Sequence, residues 1–119
     1  MSVRVLVVED EALVRFNTVL HLEDEGFLVS EAATADQAIA ILERDPSIHL
    51  VFTDIDMPGS MDGLKLAAYV RGKWPPIHII VTSGKRTEPL DGLPAGSKFI
   101  PKPYELSSLV AMIRQYVAG

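Results

Sequence analysis

Short apolar runs of β type alternate with helical stripes along the chain, and that alternation leaves few folds open. Val3 to Val8 is apolar except for Arg4, as expected of a strand buried on both faces. Glu11 to Glu25 carries Leu13, Phe16 and Leu20 at helical spacing, which predicts a helix with that stripe inward, stopped by Gly26. Phe27 to Ala32 reads as strand, and Ala35, Ala38, Ile39 and Leu42 mark a helix ending before Pro46. His49 to Thr53 is strand again, followed by the turn-rich Met57-Pro-Gly-Ser60. From Gly63, Leu66, Ala67 and Val70 mark a helix that ends near Gly72 and Trp74-Pro75-Pro76, before the apolar run Ile77 to Thr82. Between Gly84 and Gly96, glycines and prolines leave room for one short helix at most. Lys98 to Ile100 gives a fifth strand, and Leu106, Leu109, Val110, Ile113 and Val117 form the apolar face of a terminal helix. The expected fold is α/β: a doubly wound, five-stranded parallel sheet with right-handed crossovers and a shortened or irregular fourth helix.

A chain of 119 residues makes one domain, 1–119, with room for a substantial core. The net charge of −5 and the absence of clustered Lys and Arg argue against direct nucleic-acid binding. With no cysteine there is neither a disulfide frame nor a thiolate metal site. The N-terminus reaches Glu9 too soon for a signal peptide or membrane span, so a cytoplasmic protein without a membrane partner is expected. The helix running to Gly119 without a linker favours a stand-alone protein.

Chemistry collects at the C-terminal ends of the strands, where open parallel sheets bind ligands. Glu9 and Asp10 follow the first run, Asp54 the third, Ser83 the fourth, and Lys102-Pro103 the fifth. If the first and third strands are neighbours, three carboxylates crowd together. Two carboxylates about 4 Å apart repel by roughly 4 kcal/mol at an effective dielectric near 20, so the cluster calls for a cation. Mg²⁺ suits it, because that ion favours a few carboxylates, water and a phosphate oxygen. Lys102 could pair with a carboxylate at rest and a phosphoryl oxygen afterwards, and an X-Pro bond in the cis form would turn it into the crevice. Ser83 adds a hydroxyl donor. Taken singly, each residue has a plainer role: Asp10 or Glu11 as a helix N-cap, Asp54 as a turn residue, Ser83 and Lys102 as loop punctuation. His21, His49 and His78 sit on separate elements without ligand spacing.

In this order, the motifs VLVVEDE, VFTDIDMPG, MDG, IIVTSG and FIPKP resemble the receiver domain of bacterial two-component response regulators, of the chemotaxis-regulator-like kind, over essentially the whole length. The resemblance implies a flavodoxin-like receiver in which Asp54 accepts a phosphoryl group from a sensor histidine kinase or histidine phosphotransfer protein. It implies that Glu9, Asp10, Asp54 and the backbone carbonyl of Asp56 hold Mg²⁺, and that Ser83 and Lys102 bind the acyl phosphate. Phe99 would be the switch aromatic that turns inward when Ser83 moves. Such a protein, a monomer or weak dimer, relays a signal to a downstream protein and turns over no separate substrate. It would be a single-domain regulator or the receiver of a hybrid kinase. Two departures stand out: MPGSMDG has one residue more than the usual pattern, and Asp56 adds a fourth acid. The alternative is a small haloacid-dehalogenase-like phosphatase with Asp54 as nucleophile, suggested by Asp54-Ile-Asp56 with a later Ser and Lys, although Met57 and Pro58 depart from that motif.

Overall fold

The apolar runs are strands of one sheet in the computed structural model, which describes residues 2–59, 61–85 and 92–118. The strands are β1 (Arg4–Val8), β2 (Leu28–Ala32), β3 (Leu50–Asp54), β4 (His78–Ser83) and β5 (Lys98–Pro101). All pairings are parallel, in the order β2-β1-β3-β4-β5. Four helices connect or follow them among the described residues: α1 (Ala12–Asp24), α2 (Ala35–Arg44), α3 (Gly63–Lys73) and α4 (Leu106–Ala118).

Alternation along β1 divides the core into two layers, since successive strand residues point to opposite faces. Val5 and Val7 pack with Leu22 of α1 and Leu109 and Ile113 of α4. Leu6 and Val8 pack with Leu42 of α2 and Leu66 and Val70 of α3. This is the doubly wound sandwich expected of strands that read as continuous apolar runs.

Local chemistry fixes the helix ends. The Thr34 hydroxyl accepts from the Gln37 N–H at the start of α2, and the Gln37 side chain returns to accept from the Ala33 N–H. Asp62 caps α3 by accepting from the Lys65 N–H at 2.9 Å. After α1, Gly26 adopts φ +95°, a conformation that favours glycine.

One sequence expectation is corrected. Leu13, Phe16 and Leu20 do not face the core: they are 77%, 56% and 45% exposed, while Thr18, Val19 and Leu22 are buried. Two stripes compete on α1, and the one carrying Val19 and Leu22 is buried in the layer of Val5 and Val7. The Arg15 guanidinium donates to the Glu9 carbonyl at 2.8 Å and pairs with Glu31 at 2.9 Å, which ties the start of α1 to the ends of β1 and β2. The expected short fourth helix falls largely on residues 86–91, outside the described residues, as does Ser60 in the MPGSMDG loop. The flanking residues 84–85 and 92–97 carry no helix.

Candidate functional site

Strand order and register assemble the site. The chain leaves β1 for β2 on one side and returns to β3 on the other, so the strand order reverses at β1 and β3 and opens a crevice beyond their carboxyl ends. Val8 pairs with Thr53, which places Glu9 beside Asp54. Asp54 pairs with Thr82, one residue before Ser83. Ser83 pairs with Pro101, and its carbonyl accepts from the Lys102 N–H at 2.9 Å. The strand ends therefore deliver Glu9, Asp54, Ser83 and Lys102 to one rim. The Lys102-Pro103 bond is cis.

Two of the three clustered carboxylates share the Lys102 ammonium. Lys102 Nζ lies 2.7 Å from Asp54 Oδ2 and 3.2 Å from Glu9 Oε1. Glu9, Asp10 and Asp54 each offer an oxygen within 4.8 Å of the others. Both Asp54 oxygens are engaged, because Oδ1 accepts from the Asp56 N–H at 3.0 Å. Burial pushes Glu9 up to about 7, aided by the Asp54 charge, against the pull of the Glu11 N–H and Lys102. For Lys102, partial burial acts downward, but hydrogen bonds and charge from Asp54 and Glu9 outweigh it and hold the ammonium well above the usual lysine range.

The donor set fits a hard divalent cation. Every available ligand is oxygen, and one ammonium against three carboxylates leaves negative charge in excess. The plainer role of the acid pair is only partly realised: Glu11 occupies the N-cap of α1 without a side-chain capping bond, and Glu9 accepts from the Glu11 N–H instead. Phe99 is half-buried on β5 and packs against the layer covered by α2 and α3.

Three features escape sequence reading. Arg15 clamps the turn after β1, and a basic residue one helical turn beyond Glu11 was its only signal. The Ser83 hydroxyl donates to Asp56 Oδ2 at 2.6 Å, and the Lys85 N–H donates to Ser83 Oγ at 3.1 Å. The Ser83–Asp56 contact has no motif, because it depends on how the loop after β3 approaches the end of β4, and the Lys85 bond is a local turn contact of a serine two residues earlier.

The response regulator receiver domain family matches residues 5–114. The chain is 36% identical over 118 residues to the sensor kinase CckA of Brucella abortus, an alignment covering 96% of this chain and 12% of that protein. The crystal structure of the receiver domain from hybrid histidine kinase CckA superposes with a TM-score of 0.83 at 32% identity, covering 96% of this chain and 98% of that one. A CheY-like receiver domain from Methanospirillum hungatei superposes with a TM-score of 0.88 at 28% identity, covering 99% and 95%. These similarities give no support to the phosphatase reading of Asp54-Ile-Asp56. With the five-stranded parallel fold and the crevice described, the match identifies this chain as a member of the response regulator receiver family, a signalling domain of two-component systems.

Proposed function

We propose that Asp54 is the phosphoacceptor of this receiver. The observation that carries the reading is the bridge from Lys102 to Asp54 and Glu9 at the strand-order reversal, beside the three-carboxylate cluster. An oxygen of Asp54 attacks phosphorus as the bond to the donor's imidazole nitrogen breaks, and the electron pair of that bond leaves with the imidazole. In this reading Lys102 follows a phosphoryl oxygen while keeping Glu9 as its second partner. Ser83 supplies a hydroxyl to another oxygen, and Phe99 fills the space that Ser83 vacates. Glu9, Asp10, Asp54 and the Asp56 carbonyl would hold Mg²⁺, which would supply neutralising charge to the phosphoryl oxygens. The whole of 1–119 acts as one signalling unit, a monomer or weak dimer, without turnover of a separate substrate.

The donor is a sensor histidine kinase or histidine phosphotransfer protein, and the output is a changed surface offered to a downstream protein. A groove of 540 Å³ beside the crevice supports a protein donor: Val14 and Asn17 of α1, Tyr104 and Leu106 line it, with Lys102 at one edge. The exposed Leu13, Phe16 and Leu20 extend an apolar face along the same helix. Among the described residues no helix is long and apolar enough to cross a membrane. A cytoplasmic setting accords with the acidic, cysteine-free chain. Incubation with acetyl phosphate and Mg²⁺ should add one phosphoryl group by intact mass, and no addition under any Mg²⁺ concentration would overturn the assignment.

Metal binding should depend on pH through Glu9. With Glu9 raised to about 7, the cation must displace its proton in acid. The apparent Mg²⁺ affinity should fall about tenfold from pH 8 to pH 6. Without metal the sign reverses. A carboxyl whose folded pKa lies above its unfolded value of 4.5 contributes stability that is fully present below that value and lost as pH rises through about 7. Calorimetric Mg²⁺ titrations at both pH values check the first effect, and denaturation of the metal-free protein checks the second. Glu9→Gln should flatten both, and unchanged profiles would remove Glu9 from the ligand set.

A further inference from the structure

Ser83 Oγ has one proton, and at rest that proton is committed. The hydroxyl donates to Asp56 Oδ2 at 2.6 Å, and its oxygen accepts from the Lys85 N–H at 3.1 Å. Ser83 is fully buried, so water does not compete freely for the bond. An acyl phosphate on Asp54 would need the same proton. The carboxylate of Asp56 and a phosphoryl oxygen are thus rival anionic acceptors for one donor.

We propose that the Asp56 side chain is a brake on the Ser83 switch: it holds the hydroxyl in the resting arrangement and lowers the affinity of the site for a phosphoryl group. This rests on Asp54 being the phosphoacceptor. Asp56 then has two separate parts in the site. Its backbone N–H orients Asp54 Oδ1 and its backbone carbonyl is the proposed metal ligand, while its carboxylate positions Ser83. Substituting the side chain leaves both backbone groups in place. Asp56 is a positioning residue acting through Ser83, and removing it should raise the fraction of molecules ready to bind.

Beryllofluoride with Mg²⁺ serves as the phosphoryl mimic, and its dissociation constant is measured in wild type, Asp56→Ala, Ser83→Ala and the double variant. Losing a charged acceptor that holds the switch at rest should tighten binding about 10-fold in Asp56→Ala, and about threefold in Asp56→Asn, which keeps a neutral acceptor. In the Ser83→Ala background the same Asp56 substitutions should change affinity by less than about twofold, because no hydroxyl remains to be held. Equal tightening in both backgrounds would mean that Asp56 only repels the anion through space, and would overturn the brake. Unchanged or weaker binding in Asp56→Ala would overturn it too. Should Asp56→Ala not fold, the cycle is run with Asp56→Asn and read by the same two comparisons. A wild type with no Mg²⁺-dependent beryllofluoride binding would instead overturn the phosphoacceptor reading, and the brake with it.

Discussion

Asp54→Asn should carry no phosphoryl group after treatment with acetyl phosphate and Mg²⁺, where the wild type carries one. The substitution is nearly isosteric, and the hydrogen bond from the Asp56 N–H to the position of Oδ1 can persist, so the fold should hold. What disappears is the carboxylate nucleophile. Lys102 also loses the charge of its nearer partner and is left to Glu9, at 3.2 Å in the native protein. The Asp54 charge is one of the causes that raise Glu9, so the Glu9 carboxyl should move back toward its ordinary range in the variant. Intact mass reads the first effect, and titration of Glu9 by carbon-detected NMR reads the second. A variant phosphorylated like wild type, or modification at His21, His49 or His78, would show that Asp54 is not the acceptor.

Gly63→Ala should be the most damaging single-methyl change near the site. A Cβ on Gly63 would lie 2.1 Å from the Asp54 carbonyl oxygen and 2.7 Å from both the Asp54 carbonyl carbon and Ile55 Cα. All three are backbone atoms, so no side chain can swing away. Gly63 also donates its N–H to the Ile55 carbonyl at 3.0 Å, which holds the first turn of α3 against the chain leaving β3. Accommodating the methyl means separating α3 from the peptide that carries Asp54, at about 3 kcal/mol, the upper end of ordinary overpacking. Gly72 in the same helix is the control: nothing lies within 4 Å of a Cβ there. Gly72→Ala should stabilise by about 0.5 to 1 kcal/mol through helix propensity. Denaturant midpoints of the two variants should therefore move in opposite directions. If Gly63→Ala unfolds like wild type, the close approach of α3 to β3 is not as described.

The helices α2, α3 and α4 were legible because their apolar spacing admits one buried face each, and the inner strands because their continuous apolar runs suit burial on both faces. Ala35, Ala38 and Leu42, then Leu66, Ala67 and Val70, are buried as their periodicity requires. The gathering of Glu9, Asp10, Asp54 and Lys102 was legible for a topological reason: once the sheet is parallel and doubly wound, strand ends converge whatever the loops do. The inward face of α1 was not legible. Hydrophobic spacing favoured Leu13, Phe16 and Leu20, whereas the face that packs on the sheet carries Thr18, Val19 and Leu22, a stripe interrupted by a polar residue and so a weaker signal. The Asp56 to Ser83 bond was hidden because it joins residues 27 apart, one in the loop after β3 and the other at the end of β4. Periodicity reports burial; it does not report which polar groups will meet.

The rotation of α1 separates two kinds of evolutionary change on one short helix. Thr18, Val19 and Leu22 bind the helix to the sheet, and Leu13, Phe16 and Leu20 lie largely outside that attachment. Substitutions on the outer row can accumulate with little effect on folding, since exposed positions generally tolerate change within about 0.5 kcal/mol. If the proposed donor docks on that row, duplicated copies of such a domain could diverge in whom they recognise while the acidic crevice and both core layers stay as they are. Insulation between parallel signalling lines would then be gained three side chains at a time, on a surface that the fold itself leaves free to vary.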